Sequence, residues 1–250
     1  MAAAPIPGSP TVQPFLEMAE ISKGFPGVAA LQNVDFSVRR GEVHGLVGEN
    51  GAGKSTLMKI LSGAYRADSG EIRIGGQRID RPSPLQMLGL GVAVIYQEMM
   101  LAPHLSVAEN IFLGRLPKTR IGTVDWREAV SGSLAVMERL GFRVDPRARL
   151  MDLSVAQRQM VEIARALSRD ARMVVLDEPS AVLGGAELEK LFEVIRRLSG
   201  EGVAFVYISH RLQEVFEVCD RVTVLRDGVV VGTRDVADAD MDALIRMMVG

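Results

Sequence analysis

A chain of 250 residues, 48% hydrophobic and 24% charged, makes one large domain or two small ones and excludes a disordered or fibrous protein. Lysine and arginine total 29 against 31 aspartates and glutamates, a formal net charge of −2. That balance excludes a chain-wide basic footprint for nucleic acid and a polybasic membrane anchor, so any bound anion must be held by a local site.

The first residues, Met1-Ala-Ala-Ala-Pro-Ile-Pro-Gly-Ser-Pro10, lack the positive start and long apolar stretch of a signal peptide, and residues 1–14 are expected to form a disordered tail. Order is expected from Phe15. Short runs rich in Val, Ile and Leu then recur at 31–38, 42–47, 71–74, 92–96, 173–177, 203–209 and 221–225. Several are nearly continuous, which suits strands covered on both faces of a parallel sheet. Between them, Ser83-Pro84 predicts a helix start, and Asp125-Trp126-Arg127-Glu128 resembles a capping box with Glu128 reaching back. A helix is predicted over 56–61, another over 160–167, and a third over 186–199 with Gly200 as its stop. Strands alternating with helices argue for an α/β domain, and the strand signal fades between Glu98 and Asp170, which predicts a mainly helical insertion. The single cysteine, Cys219, cannot form an internal disulfide, and with only His44, His104 and His210 a structural zinc site is not expected. No apolar run reaches the roughly 18 residues of a spanning helix. A soluble, intracellular chain is expected.

Gly48-Glu49-Asn50-Gly51-Ala52-Gly53-Lys54-Ser55 matches the P-loop pattern between an apolar strand and a helix. Glycines let the backbone wrap phosphates, the helix N-terminus points N–H groups at the anion, Lys54 places a cation on the β- and γ-phosphates, and the Ser55 hydroxyl is a Mg²⁺ ligand. At average residue frequencies a chain of this length holds about 0.01 such matches by chance. Nucleotide binding is therefore expected, although the loop alone does not separate kinase, GTPase, motor and transporter. The strand over 173–177 ends in Asp177-Glu178. Beside a P-loop, Asp177 would serve the metal and Glu178 the attacking water. Leu153-Ser154-Val155-Ala156-Gln157 precedes a helix, where Ser154 alone reads as an N-cap or a second anion contact.

The order P-loop, Tyr96-Gln97, Leu-Ser-x-x-Gln, Leu-Asp-Glu-Pro and Ser209-His210 resembles the ATP-binding cassette (ABC) family, over nearly the whole chain from Phe15 to Gly250. Phe25-Pro-Gly-Val-Ala-Ala-Leu31, residues 105–114, residues 159–167 and Tyr207-Ile-Ser-His-Arg211 are similar to the first cassette of importers for monosaccharides such as ribose, galactose and xylose. The resemblance implies a RecA-like P-loop NTPase core with a mainly parallel sheet and an antiparallel β subdomain (15–97 and 169–250) and a helical subdomain (98–168). It implies that Phe25 stacks on adenine, that the P-loop with Thr56 holds ATP, and that Gln97 approaches Mg²⁺ and the attacking water. Ser154 would contact the γ-phosphate of ATP held by an opposing cassette, and His210 would contact the γ-phosphate as a switch.

Implied partners are a second cassette in the same longer chain or a dimer, membrane permease subunits and, indirectly, a periplasmic or extracellular sugar-binding protein, at the cytoplasmic face of the inner membrane. No nucleic acid partner is implied. Such importers usually carry two cassettes in one chain, so this chain is expected to be the first half of a longer protein. The apolar segment 99–104 either lines the groove receiving the permease or packs internally. Two departures stand out: Val155 and Ala156 replace two glycines of the family signature, and Ala181-Val182-Leu183-Gly184 lacks the usual acid. Both bear on whether the composite site using this signature turns over at full rate, and neither touches Lys54, Asp177 or Glu178. A soluble cassette ATPase of translation or DNA repair, or a non-hydrolysing regulatory cassette, remains open on sequence alone.

Overall fold

Strand β3 (Val43–Val47) is buried at all five residues, as befits a strand covered on both faces. It lies at the middle of a computed structural model that describes residues 13–250, so the expected tail falls largely outside the described residues. Beside β3 run β6 (Val92–Ile95), β7 (Met173–Asp177), β8 (Ala204–Ile208) and β9 (Arg221–Arg226), all parallel, and β10 (Val229–Asp235) closes one edge antiparallel to β9. The order is β10-β9-β3-β8-β7-β6. A second, antiparallel sheet joins β1 (Leu16–Phe25), β2 (Val28–Val38), β4 (Ser69–Ile74) and β5 (Gln77–Arg78) in the order β2-β1-β4-β5.

Alternation of side chains across the large sheet divides the core into two. Val174, Leu176, Phe205, Tyr207, Val222 and Val224 face one cluster, while Met173, Val175, Val206 and Ile208 face the other. The second cluster is completed by helix α1 (Lys54–Leu61) and the antiparallel sheet, through residues such as Leu57, Met58, Leu16 and Phe36. The first is covered by α6 (Gly185–Gly200) and α7 (Leu212–Val218), and by α3 (Val107–Ile111), α4 (Trp126–Arg139) and α5 (Val155–Leu167). No named strand falls between Ile95 and Met173 among the described residues, in line with the fading strand signal. Helices α2 (Pro84–Gly89) and α8 (Met241–Val249) complete the chain, and no helix among the described residues is long and apolar enough to cross a membrane.

The structure corrects five local readings. Strand β1 is missing from the predicted set because its alternation breaks at Glu20, whose φ of 53° accompanies a register shift between Met18 and Ile21. Strand β10 is missing because it is mostly exposed and shifts register between Val230 and Gly232. Helix α6 runs through Gly200 and turns off at Gly202, φ 93°, where the Gly202 and Val203 amides donate to Ser199 and Leu198. At α4, Asp125 accepts from the Glu128 amide at 3.0 Å, so the N-cap forms, but no bond from Glu128 back to Asp125 completes a box among the described residues. Helix α5 begins at Val155, one turn before the predicted start. Ser83 caps α2 as expected.

A buried polar network ties β3 to the β9–β10 hairpin. The His44 ring contacts Glu42 Oε1 at 3.0 Å through Nδ1 and Thr223 Oγ1 at 2.8 Å through Nε2. Arg221 reaches the same Glu42 oxygen at 3.1 Å. Burial pushes the Glu42 carboxyl up, but His44, the Arg39 amide and Arg221 together hold it below the ordinary value. Burial lowers the His44 ring further than Glu42 raises it, so the imidazole stays neutral below its ordinary 6.5. Both folded values are depressed, so the unfolded chain takes up these protons first. Stability is full above pH 6.5 and is lost as pH falls, first through His44 and then through Glu42. Thermal unfolding followed from pH 7.5 to 4.5 is expected to show a fall in Tm starting near pH 6.5. In His44→Gln the fall begins only in the carboxylate range.

Candidate functional site

The C-terminal ends of four adjacent strands, β3, β8, β7 and β6, carry the predicted chemistry. Strand β8 lies between β3 and β7, so the loop after β8 sits between the loop after β3 and that after β7. Asp177 pairs with Ile208, which places the acid pair beside the Ser209-His210 turn. Open parallel sheets bind ligands at this edge.

Gly53 caps α1 at φ 107° with no side-chain cap, leaving the first amides of the helix directed at the cavity. A Cβ there would meet the Ala30 carbonyl oxygen at 2.7 Å and Leu31 at 2.8 Å, so both the backbone angle and the close approach demand glycine. Lys54 is 6% exposed, and its ammonium donates to the carbonyl oxygens of Gly48 at 2.6 Å and Glu49 at 3.0 Å. Burial lowers the Lys54 pKa, against the opposing pull of Glu178 and Asp177. Asp177 is pushed up by burial and then by the charge of Glu178, with Lys54 and Lys59 partly offsetting this. An acid pair facing one buried lysine is left short of positive charge.

A cavity of about 560 Å³ is lined by residues 50–56, Gln97, Asp177 and Glu178, together with Val28, Ala29, Ala30 and Asp227. Nine predicted residues from the P-loop and α1 to the acid pair thus meet Gln97 in one place. Gly48 and Glu49 do not line it and act through the carbonyls that hold Lys54. Glu178 adopts φ 49°, ψ 52°, a left-handed conformation costing a residue with a Cβ roughly 1–2 kcal/mol, and begins the short turn Pro179–Val182. Its Oε1 lies 3.2 Å from His210 Nδ1, so two of the three predicted catalytic side chains touch.

Phe25 stands at the end of β1, 40% exposed, edge-on to Tyr65 at 5.7 Å between centroids. It does not line the cavity, although the strand that follows it does. Ser154 lies elsewhere. It is exposed, forms a capping box with Gln157, and borders a separate cavity of about 620 Å³ between the end of α4, the start of α5 and α6. The structure does not bring it to the P-loop of its own chain.

Val28, Ala29, Ala30 and Asp227 were not foreseen. Asp227-Gly228, φ 50° and 78°, forms the turn of the β9–β10 hairpin. It reaches the cavity because Gly228 donates to Ala52 and accepts from Gln32. The Asp-Gly pair between apolar runs was a readable hairpin signal.

A glycine-rich loop entering a helix from a central parallel strand, with an acid pair on a neighbouring strand end, defines a P-loop nucleotide-binding α/β protein. A family model described as ABC transporter matches residues 31–181, and the chain belongs to that family. It is 56% identical over 239 residues to the ribose import ATP-binding protein RbsA 1 of Rubrobacter xylanophilus, covering 96% of this chain and 48% of that protein. It is 53% identical to the RbsA 1 of Burkholderia cenocepacia, covering 97% of this chain and 48% of that protein. The chain spans about half the length of the curated relatives it matches. Among solved structures, the ADP conformation of MJ1267, an ATP-binding cassette of an ABC transporter, superposes with a TM-score of 0.81 at 25% identity, covering 95% of this chain and 99% of that one.

Proposed function

We propose that this chain binds and hydrolyses ATP to power import of a monosaccharide through a membrane permease. The observation that carries the reading is the single cavity holding the P-loop, Gln97, Asp177 and Glu178, with His210 in contact with Glu178. The names of relatives at 49–56% identity supply the cargo class. Residues 15–97 and 169–250 form the core and residues 98–168 the helical part. The protein sits peripherally at the cytoplasmic face of the inner membrane, and a separate sugar-binding protein delivers the cargo.

The phosphates of ATP lie on the amides of residues 50–56, with Lys54 neutralising the β- and γ-phosphates and Phe25 stacking on adenine. Ser55, Gln97 and Asp177 offer hydroxyl, amide and carboxylate oxygens to one cavity, the hard donor set Mg²⁺ takes together with water. When bound, Mg²⁺ supplies charge neutralisation at the phosphates. Glu178 orients the attacking water and takes its proton as the water oxygen bonds to the γ-phosphorus and the bond to the bridging oxygen breaks, releasing ADP. His210 holds Glu178 on one side and contacts the γ-phosphate on the other. A second cassette, packed head to tail, contributes Ser154 and excludes water, which strengthens each charge contact. Val155 and Ala156 occupy the first two positions of α5, where side chains stand between that helix N-terminus and the opposing phosphate.

The permease would enter a cavity of about 260 Å³ between the core and the helical part, bordered by Leu88, Tyr96, Met100, Glu162 and Arg165. Met100 is 69% exposed there, and its backbone is fixed by Glu162 Oε1 at 2.8 Å and Arg165 at 2.8 Å, while Leu101 packs against the core. Within segment 99–104 an exposed Met100 supports the permease reading, while Leu101 packs internally. Met100→Asp is expected to lower permease-stimulated turnover at least about tenfold, because docking would bury an unpaired charge, and to leave nucleotide binding by the isolated chain unchanged. The deciding experiment for the whole reading is reconstitution with permease and binding protein in vesicles. ATP turnover should rise with one monosaccharide, and indifference to every sugar would refute the import role.

A further inference from the structure

One buried carboxylate takes no part in the mechanism above. Glu214, on α7, is 5% exposed, and its Oε2 accepts three hydrogen bonds: from Ser180 Oγ at 2.8 Å, the Tyr207 hydroxyl at 2.9 Å and Ser209 Oγ at 2.8 Å. Its Oε1 lies 3.5 Å from the Arg211 guanidinium and makes no hydrogen bond among the described residues. Packing alone would be served better by an apolar side chain, since a buried carboxylate must be compensated by donors aimed at it.

The donors come from particular places. Ser180, 4% exposed, lies in the turn that follows the left-handed Glu178. Ser209 directly precedes His210, and its hydroxyl also accepts the Arg211 amide at 3.0 Å, bracketing the histidine. Tyr207 anchors the arrangement to β8. Burial and then the charge of Glu214 push its phenol upward, so it remains a donor. Two other links join the loops: the Glu178 amide to the Ile208 carbonyl at 3.0 Å, and the Glu178–His210 contact, whose histidine is 55% exposed and open to competition from water. Glu214 makes the side-chain link that is out of water.

We infer that Glu214 is a positioning residue that joins the Glu178 turn and the His210 turn into one unit, so that both side chains meet the γ-phosphate and the attacking water in a fixed relative geometry. The inference rests on the roles proposed above for Glu178 and His210. It also assigns Ser180 and Ser209 as the two arms of the link.

The test compares Glu214→Ala, Glu214→Gln, Ser180→Ala, Ser209→Ala and Glu178→Gln in the full-length protein with its permease. Glu214→Ala should lower kcat for ATP about 10- to 100-fold with KM within about twofold, the loss expected from displacing reacting groups by roughly 1 Å. Glu214→Gln, whose amide oxygen still accepts, should recover part of it. Without nucleotide, hydrogen exchange in Glu214→Ala should rise about tenfold at residues 178–182 and 208–211 together, with residues 48–55 unchanged. Parental kcat, a rise in KM alone, or exchange spread evenly over α7 and β8 would overturn the inference. If Glu214→Ala does not fold, the two serine variants decide: each should lower kcat about 3- to 10-fold, and parental kcat in both overturns it. Loss of turnover in Glu178→Gln beside parental Glu214→Ala refutes this inference alone. Retained turnover in Glu178→Gln refutes the underlying reading, and the exchange data still decide whether the loops are linked.

Discussion

Glu178→Gln is expected to abolish most ATP turnover, about 10²- to 10⁴-fold, the range lost when a positioned proton acceptor is removed, while ATP still binds. The amide keeps the size and left-handed turn of the glutamate and its place 3.2 Å from His210 Nδ1, but it cannot take a proton. Asp177, whose carboxyl is pushed up by burial and then by Glu178, is the acid proposed for Mg²⁺ instead. Removing the Glu178 charge also relieves that repulsion, so nucleotide affinity should hold or rise. Single-turnover kinetics beside equilibrium titration separates the two quantities. Unchanged turnover would remove Glu178 from the mechanism.

Lys54→Ala should fail at the earlier step. Truncating one partner of a buried charged contact costs about 2–5 kcal/mol, roughly 30- to 4,000-fold in Kd. Lys54 fits that description, being 6% exposed and the cation nearest the phosphate cradle. The loss should grow with phosphate number, so that ATP suffers more than ADP and adenosine scarcely at all. Titration of the three ligands checks this, and an equal loss for all three would point to collapse of the loop instead.

Much of this site was legible before folding because its parts are local. Gly53 before Lys54 and the acids closing an apolar strand each express backbone or charge rules that act within a few residues. The antiparallel strands β1 and β10 were not legible. Their alternation is interrupted at Glu20 and between Val230 and Gly232, where the register against the partner strand shifts. Asp227 was overlooked for a related reason: its hairpin signal is local, but its place at the cavity depends on Gly228 meeting Ala52.

Length, near-neutral charge and motif order thus determined the class of protein and the residue types of its phosphate cradle, since chain stiffness, glycine freedom and charge are properties of short segments. Tertiary structure alone decided which of these residues share a cavity and which, like Ser154, face away from it. It also decided that Glu178, Ser180, Ser209 and His210 are joined through one buried carboxylate. Those relations span 30 or more residues between Ser180 and Glu214. They depend on the sheet order β3-β8-β7, which is set by burying two apolar faces at once rather than by any local pattern.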